Sequence, residues 1–253
     1  MWSPTGRIAP YCDGMTRTPD AVRTPDAGRT PDATSTSDAT STLVTTGTPV
    51  DTTQTDRMFA GQGQGDAVDW TALILEQLEW HWDYQLRARL AGLTDEEYLW
   101  EPVPRCWNVR PQGTGATPMA TGSGGFEIDY EYPTPEPPPL TTIAWRLGHV
   151  IVGVFGARVA AHFGGPPTDY QTWAFAGTAE EALDQLDAVY GAWIEGVRGL
   201  RAEDLARPVG PAEGAVADHP MASLVLHIHR EVIHHGAEIS LLRDLFAHPV
   251  RAA

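Results

Sequence analysis

Histidines and glutamates crowd one short stretch near the C-terminal end of the sequence, and together they could bind a metal. They are His227, His229, Glu231, His234, His235 and Glu238. On a helix with about 100° between residues, His235 lies within roughly 30° of the centre of the apolar face, and Glu231 about 70° from it. The other histidines lie at wider angles, so we expect them to face away from the core. Glu231 and His235 therefore form an inward-facing i,i+4 pair.

An imidazole and a carboxylate turned toward an apolar core need a partner, because burying an unpaired polar or charged group is costly. A divalent metal satisfies both groups, and a third ligand must then come from another helix. His149 lies in the middle of a second apolar helix, between Leu147 and Val150. Two histidines and one carboxylate leave a coordination position for water or substrate, as in catalytic zinc sites. We predict a divalent metal, Zn²⁺ ahead of Ni²⁺ or another ion, held by His149, Glu231 and His235.

Other interpretations of these residues stay open at this point. His149 could be a hydrogen-bonded core histidine, and Glu231 with His235 could form a buried ion pair with Arg230 or Arg146. A di-iron carboxylate bundle would need two Glu-x-x-His motifs, and the sequence contains one. The sequence has no His-Glu-x-x-His, Gly-rich phosphate loop or Gly-x-Ser-x-Gly motif, so metalloprotease, nucleotide-binding and serine-hydrolase functions lack support.

Four segments have the apolar spacing of long helices. Their predicted spans are 69–90, 141–163, 178–199 and 220–246. The predicted caps of the first three are Asp69, Thr141 or Thr142, and Thr178, and Asp218 or His219 lies near the cap of the fourth. Long helices with polar connections predict an all-α, up-down four-helix bundle. The remaining histidines, which we expect at the surface or at helix ends, are His81, His162, His219 and His248.

Two long segments have no helical pattern. Residues 101–140 are rich in Pro and Gly, and the alternation at 126–132 favours a short extended stretch, so we predict a long loop after the first helix. Residues 1–65 are rich in Thr, Ser, Pro, Asp and Gly, and contain repeats of Arg-Thr-Pro-Asp-Ala. Such a composition cannot bury enough apolar area to offset the entropy of ordering. We predict a disordered tail at 1–65 and one bundle domain at 66–250.

Charge and cysteine content limit the expected partners and location. The 17 basic and 33 acidic residues give a net charge of −16, whereas nucleic-acid binders need a positive face. The sequence has no uninterrupted apolar run of about 18 residues, so we expect no membrane span, and its first residues do not resemble a secretory signal. Cys12 and Cys106 are a poor disulfide pair, which suggests a cytoplasmic location. All basic residues are Arg, as is typical of a GC-rich, actinobacterium-like genome.

At these residues the chain resembles the DinB-like superfamily of bacterial four-helix bundles, which includes thiol-dependent S-transferases and maleylpyruvate isomerases. The motifs that carry the resemblance are Leu-Thr-Asp-Glu-Glu at 93–97, Trp-Arg-Leu-Gly-His at 145–149, and Arg-Glu-Val-Ile-His-His-Gly-Ala-Glu-Ile at 230–239. In that family one histidine of the second helix and two residues four apart on the last helix bind the metal. The resemblance implies the ligands His149, Glu231 and His235. The mycothiol-dependent members are similar to this chain in using Glu-x-x-x-His.

The resemblance implies a metal-dependent transferase that adds a low-molecular-weight thiol, mycothiol or a similar one, to an electrophilic small molecule. It implies no catalytic acid or base, and Arg146, Arg105 and Arg110 are candidates for binding carboxylates of the thiol or the substrate. A non-catalytic metal-binding or interaction module and a metal-dependent hydrolase are the alternatives. Family members that pair also suggest a homodimer. The insert at 101–140 departs from the family pattern, so the electrophile is not identified.

Overall fold

Four long helices form the frame of residues 68–248, the part of the chain that the computed structural model describes. In chain order the elements are α1 (Trp70–His81, then a π-helical segment Trp82–Leu86 and Arg87–Arg89), α2 (Asp95–Tyr98), β1 (Val109–Pro111), β2 (Phe126–Ile128), α3 (Ile143–His149, then a π-helical segment Val150–Gly156 and Ala157–His162), α4 (Ala179–Arg198), α5 (Ala202–Leu205), a 3₁₀ segment (Pro211–Val216) and α6 (Met221–Ala247). The predicted all-α four-helix fold is confirmed. The low-complexity segment predicted at 1–65 lies outside the described residues.

Side-chain caps explain where the first three long helices begin. Asp69 and Thr142 accept hydrogen bonds from backbone N–H groups of the first turn, at 3.0 and 3.2 Å. Thr178 makes the equivalent contact at 3.3 Å. These bonds satisfy donors that a helix leaves unpaired at its start. In contrast, α6 begins after Pro220 without a side-chain cap, and Asp218 and His219, predicted near its start, directly precede Pro220.

Helix α3 is the central element of the core. Its residues Ile143, Val152 and Phe155 are fully or almost fully buried, and it packs against α4 and α6. By length and composition alone, Ile143–His162 could cross a membrane, but 67% of its most apolar window is buried inside the protein. A helix that is apolar on all sides is expected at the centre of a helical core. One mostly buried helix of this kind is weak evidence of a membrane span.

The predicted long loop contains a small antiparallel sheet. Strand β1 pairs with β2 in a register that places Val109 opposite Ile128, so part of the extended stretch predicted at 126–132 is present. The sheet is short because β1 and β2 each contain three residues. It stiffens the insert without changing the all-α class.

A buried carboxylate attaches this insert to the central helix. Asp129 is fully buried and accepts a hydrogen bond from the Nε of Arg110 at 2.7 Å. The backbone oxygen of Asp129 accepts a hydrogen bond from the indole N–H of Trp145 at 2.8 Å. Since Trp145 lies one turn before His149 on α3, the insert is fixed to the helix that carries a predicted metal ligand.

Two histidines predicted to face away from the core, or to lie at the surface, are buried, and a third has a side chain that is 6% exposed. His229 is 5% exposed, and its Nε2 accepts a hydrogen bond from the indole N–H of Trp193 at 3.3 Å. His81 is 9% exposed, and the His162 ring lies 2.8 Å from a carboxylate oxygen of Glu213. The helical wheel describes one helix at a time. It cannot show that α4 covers His229 or that the 3₁₀ segment covers His162.

A buried ion pair joins α6 to α2. Arg243 donates to Glu97 through Nε and Nη2, at 2.6 and 3.0 Å, and to the backbone oxygen of Ala91 at 3.1 Å. The Glu97 side chain is 7% exposed, so removal of its partner would leave a buried charge unpaired. We expect Arg243→Met to lower the free energy of unfolding by about 3 kcal/mol, as measured by urea denaturation.

The matched control is Arg198→Met. Arg198 pairs with Glu79 at the surface, where the two side chains are 49% and 37% exposed. Exposed ion pairs contribute about 0–1 kcal/mol, so this variant should lose little stability. Equal losses in the two variants would contradict a special role for the buried pair.

Candidate metal centre

Two of the predicted ligands, His149 of α3 and His235 of α6, meet in the core. Their ring centroids are 4.8 Å apart, and the ring planes cross at 87°. Glu231, one turn before His235 on α6, places Oε2 at 3.6 Å from the Nε2 of His235. Two helices thus bring nitrogen and oxygen donors to one region. That these donors bind an ion stays a prediction.

A hydrogen bond on the other side of the ring orients His235. Its Nδ1 lies 2.7 Å from a carboxylate oxygen of Glu238 and 3.4 Å from Nη1 of Arg146. The shorter contact requires a proton on Nδ1, because a carboxylate can only accept. In this tautomer Nε2, on the side of Glu231, carries the lone pair. A carboxylate that holds the second ring nitrogen is typical of metal-binding histidines.

A hydroxyl group orients the other imidazole. The Nδ1 of His149 is 2.7 Å from the hydroxyl oxygen of Tyr170, which lies between α3 and α4. When Nδ1–H donates to this oxygen, the Nε2 lone pair is left for a ligand bond. Gly153, one turn later on α3, leaves room for the contact, since a Cβ at 153 would lie 2.3 Å from the Tyr170 hydroxyl oxygen. Trp145 stacks on the ring with centroids 5.5 Å apart.

The surroundings keep His149 uncharged at neutral pH. Burial lowers the pKa of His149 from 6.5 to about 3, with smaller contributions from the adjacent His235 and from the guanidinium of Arg146. A neutral imidazole is the form that binds metals, so protons compete little for this ligand. His149 and Glu231 are partly accessible to solvent, whereas His235 is 4% exposed. The candidate site is therefore open on the side of His149 and Glu231.

A second grouping of donors shares His235. Among residues 68–248, the donor atoms of His234, His235 and Glu238 lie within 4.8 Å of one another. The predicted ligands His149, Glu231 and His235 do not form a group this close. However, Glu238 holds the Nδ1 of His235 and pairs with Arg146 at 3.2 Å, and the His234 side chain is 62% exposed. Glu231 also has a nearby cation, since the Nη2 of Arg230 lies 3.6 Å from its Oε1. Because Glu238 is the carboxylate in contact with Nδ1 of His235, it is better placed to orient His235 than to replace Glu231.

Arg146 and Arg105, two of the three arginines considered for substrate binding, differ in their surroundings. Arg146 lies beside His235, with its guanidinium 5.5 Å from the Trp145 ring centre, and its side chain is 14% exposed. Arg105 is exposed, with a φ of 66° in the left-handed region that non-glycine residues rarely adopt. Arg146 is thus close to the site, and substrate binding stays a prediction for both.

Arg110 already has several partners, and substrate binding by it stays a prediction. Its guanidinium lies 2.7 Å from Glu101 and 2.7 Å from Asp129, and it also donates to the backbone oxygen of Cys106. Because two carboxylates already pair with the Arg110 guanidinium, it has little attraction left for a third anion. Arg110 holds the insert together, and a contact between distant parts of a loop is not visible in the sequence.

Tyr170 and Gly153 are not identified by the sequence analysis, and Glu238 is named there without a role. Glu238 follows His235 by three positions, a spacing that brings helical side chains together, so the sequence contained a signal for it. Tyr170 lies in an irregular segment, where no periodicity predicts which way a side chain points. Gly153 can be understood only from the position of Tyr170.

The fold and the site define the class: an all-α bundle with a His/Glu cluster between its second and last long helices. The family model of the DinB superfamily matches residues 77–239. Since this match covers more than half of the chain, the protein belongs to the DinB superfamily. This superfamily is typically metal-binding. Comparisons with curated proteins and with solved structures give no significant match.

Loss of the orienting hydrogen bonds should weaken metal binding. We expect Tyr170→Phe and Glu238→Gln each to lower the affinity for Zn²⁺ by about tenfold, because such partners typically contribute roughly 10- to 100-fold. Competition with a chromophoric chelator measures the affinity. Tyr132→Phe, at a tyrosine that is 56% exposed, is the control and should bind like the wild type.

Gly153→Ala tests the same contact from the other side. The added Cβ would displace the Tyr170 hydroxyl from the His149 ring, so this variant should lose affinity to a similar extent as Tyr170→Phe. Unchanged affinity in both variants would show that Tyr170 does not orient His149 for a metal.

The lowered pKa of His149 predicts an acid dependence of stability. Below pH 6.5 the unfolded chain binds a proton at this residue, but the folded chain does so only near pH 3. The free energy of unfolding therefore falls as the pH falls through this window. In metal-free protein this residue should account for a loss of about 2 kcal/mol between about pH 6.5 and 4.5, measured by denaturation at each pH. His149→Asn should reduce the slope, and an unchanged slope would contradict the assignment.

Proposed function

We propose that the protein is a metal-dependent transferase that joins a low-molecular-weight thiol, mycothiol or a similar one, to an electrophilic small molecule. The observation that carries the proposal is the pair of adjacent imidazoles, His149 and His235, each held at Nδ1 so that Nε2 can act as a ligand. With Glu231 they make a donor set of two nitrogens and one carboxylate. That set leaves room for an exogenous ligand.

The charges of the donor set suit an anionic thiolate. His149 is neutral, because burial lowers its pKa to about 3, and Glu231 supplies one negative charge. A divalent cation bound by these residues would supply the positive charge that holds a thiol as thiolate near neutral pH. One carboxylate against a doubly charged cation leaves a net positive site, which favours an anionic ligand.

The chain's own residues orient the donors and restrict access. Tyr170 and Glu238 fix the two rings, and Trp145 covers one face of His149. Arg146 pairs with Glu238 at 3.2 Å, and Glu231 is a partly accessible carboxylate beside His235. Entry of a thiol is therefore expected from the side where His149 and Glu231 meet solvent.

The reaction needs no further acid or base from the protein. The sulfur forms a bond to the electrophilic carbon, and the leaving group departs with its electron pair. The proton of the thiol is released to solvent when the thiolate forms, since the thiolate is the reactive species. The proposal therefore assigns binding and orientation, not proton transfer, to the site residues.

The test is conjugation of mycothiol to monochlorobimane by the full chain loaded with Zn²⁺, followed as fluorescence and by chromatography of the adduct. We expect His235→Ala and Glu231→Ala to lose about 100-fold or more in rate, since each removes a ligand to the reactive centre. His219→Ala, at an exposed histidine, should retain the wild-type rate. Wild-type activity in His235→Ala would reject the proposal.

The same preparations separate the transferase from the other functions of a metal site. Hydrolysis of an ester or amide without added thiol would favour a metal-dependent hydrolase. Stoichiometric Zn²⁺ without conjugation of any thiol would favour a binding module. Metal analysis of the Glu231→Ala variant tests the ligand set independently of activity, because loss of Zn²⁺ is expected there whichever reaction follows.

A further inference from the structure

An exposed apolar stripe runs along α6. Leu226, Ile233 and Leu241 are 55%, 41% and 59% exposed, and the exposed Ala237 lies between the last two. At about 100° per residue, these four side chains fall within an arc of roughly 80° on the helix surface. Single exposed leucines need no explanation, but a continuous apolar stripe is typical of a helix face that packs against another element.

The α6 stripe lies on a different side of the helix from the candidate metal centre. On the helical wheel, Glu231 and His235 are about 120° and 160° from the centre of the stripe. A partner on the stripe therefore needs no contact with either residue. What binds to the stripe is independent of the chemistry proposed for the metal centre.

A groove beside the α6 stripe can receive a side chain from such a partner. It has a volume of about 320 Å³ and lies between α1 and α6, where Tyr84, Ala237 and Ser240 are among the residues that line it. Tyr84 is 52% exposed, so the apolar surface continues from α6 onto α1. Packed helices typically insert a side chain of one into a gap between residues of the other.

Charged residues on the same side of α6 are arranged symmetrically about Ala237. Arg230 and Asp244 lie seven positions before and after it, and Ile233 and Leu241 lie four positions before and after it. If two copies of α6 cross antiparallel at Ala237, each residue faces the one equally far on the other side. Arg230 then faces Asp244 of the second copy, and Ile233 faces Leu241. Each contact occurs twice, as a twofold interface requires.

The two charged side chains are accessible for such a pairing. The side chains of Arg230 and Asp244 are 57% and 59% exposed. Arg89 donates to Oδ1 of Asp244 at 2.6 Å, but a carboxylate accepts from more than one donor. Arg230 lies 2.5 Å from the Nδ1 of His227 through Nη2, and a guanidinium has five N–H donors. Each group can therefore keep its present contact and gain a second one.

We propose that the α6 stripe is a twofold interface with a second copy of this chain, in which the two α6 helices cross antiparallel at Ala237. The small side chain at 237 lets the helix axes approach to about 8–10 Å. Ile233 of the second copy lies at the level of Leu241, next to Ser240, and enters the groove beside Tyr84. The two pairs of Arg230 with Asp244 fix the register, as charges across an interface commonly do.

The first test measures the mass of the full chain by sedimentation equilibrium, at about 0.15 M salt, where the Debye length of about 8 Å screens repulsion between two acidic chains. We expect twice the 27.5 kDa of one chain. Ala237→Glu places two negative charges at the twofold axis and should raise the dissociation constant of the dimer by about 100-fold or more. Leu241→Glu, at a second exposed position, should also weaken the dimer.

The matched control is Ala188→Glu, the same substitution at an exposed alanine of α4 outside the stripe. It should dimerise like the wild type. Helical circular dichroism should be unchanged in Ala237→Glu and Ala188→Glu, because both positions are exposed. Binding of Zn²⁺ should also be the same in these two variants, so failure of the interface and failure of the metal centre can be told apart.

The second test exchanges the charges that define the register. Arg230→Asp and Asp244→Arg each place like charges opposite each other across the axis, and each should raise the dissociation constant by about tenfold. The double variant has opposite charges facing each other again, so it should bind more tightly than either single variant. Such recovery measures coupling between the two positions.

Three results would overturn the proposal. A wild-type chain that stays monomeric at every concentration tested would mean that a different partner covers the stripe. A dimer that persists unchanged in both Ala237→Glu and Leu241→Glu would place the interface on another face. A double charge exchange that binds no better than the single variants would exclude the antiparallel register centred on Ala237.

Discussion

The candidate site depends on two imidazole rings that lie beside each other, of which His149 is held neutral by its surroundings. His149 and His235 lie with their ring centroids 4.8 Å apart, so protonation of both would place two positive charges side by side in an apolar region. Burial and the nearby charge of Arg146 disfavour that state at His149, where the pKa falls to about 3. The same desolvation that makes the charged form costly leaves lone pairs for a ligand. Burial of this ring in the fold therefore also keeps it in the form that can bind a metal ion.

The rest of the structure keeps these rings in place through hydrogen bonds at Nδ1. One partner, Glu238, comes from the same helix as His235, and the other, Tyr170, comes from the loop that follows α3. The insert contributes through Trp145, which bonds to the backbone of Asp129 and stacks on His149. A segment that looks like a simple loop in the sequence therefore supports the central helix just before its metal-ligand candidate.

Much of the fold could be predicted because it is determined by local pattern. Helical periodicity and capping residues identified α1, α3 and α4, and the wheel placed Glu231 and His235 on the inner side of α6. Prediction was less successful where burial depends on a neighbour. His229 lies on a flank that α4 covers, and its indole partner Trp193 is distant in sequence. Arg110 lies in a segment that has the composition of a surface loop. In the folded structure it pairs with Glu101 and Asp129.

The sequence by itself determined the helices, the DinB-like motifs and which residues of α6 and α3 were candidates to meet, because periodicity and spacing are properties of one segment at a time. The tertiary structure decided that His149 reaches His235, that Tyr170 and Glu238 hold the two rings, and that His81 lies buried at a groove between α1 and α6. These contacts join residues from different elements. Their geometry follows from how side chains pack when the helices come together, and no single segment contains that information.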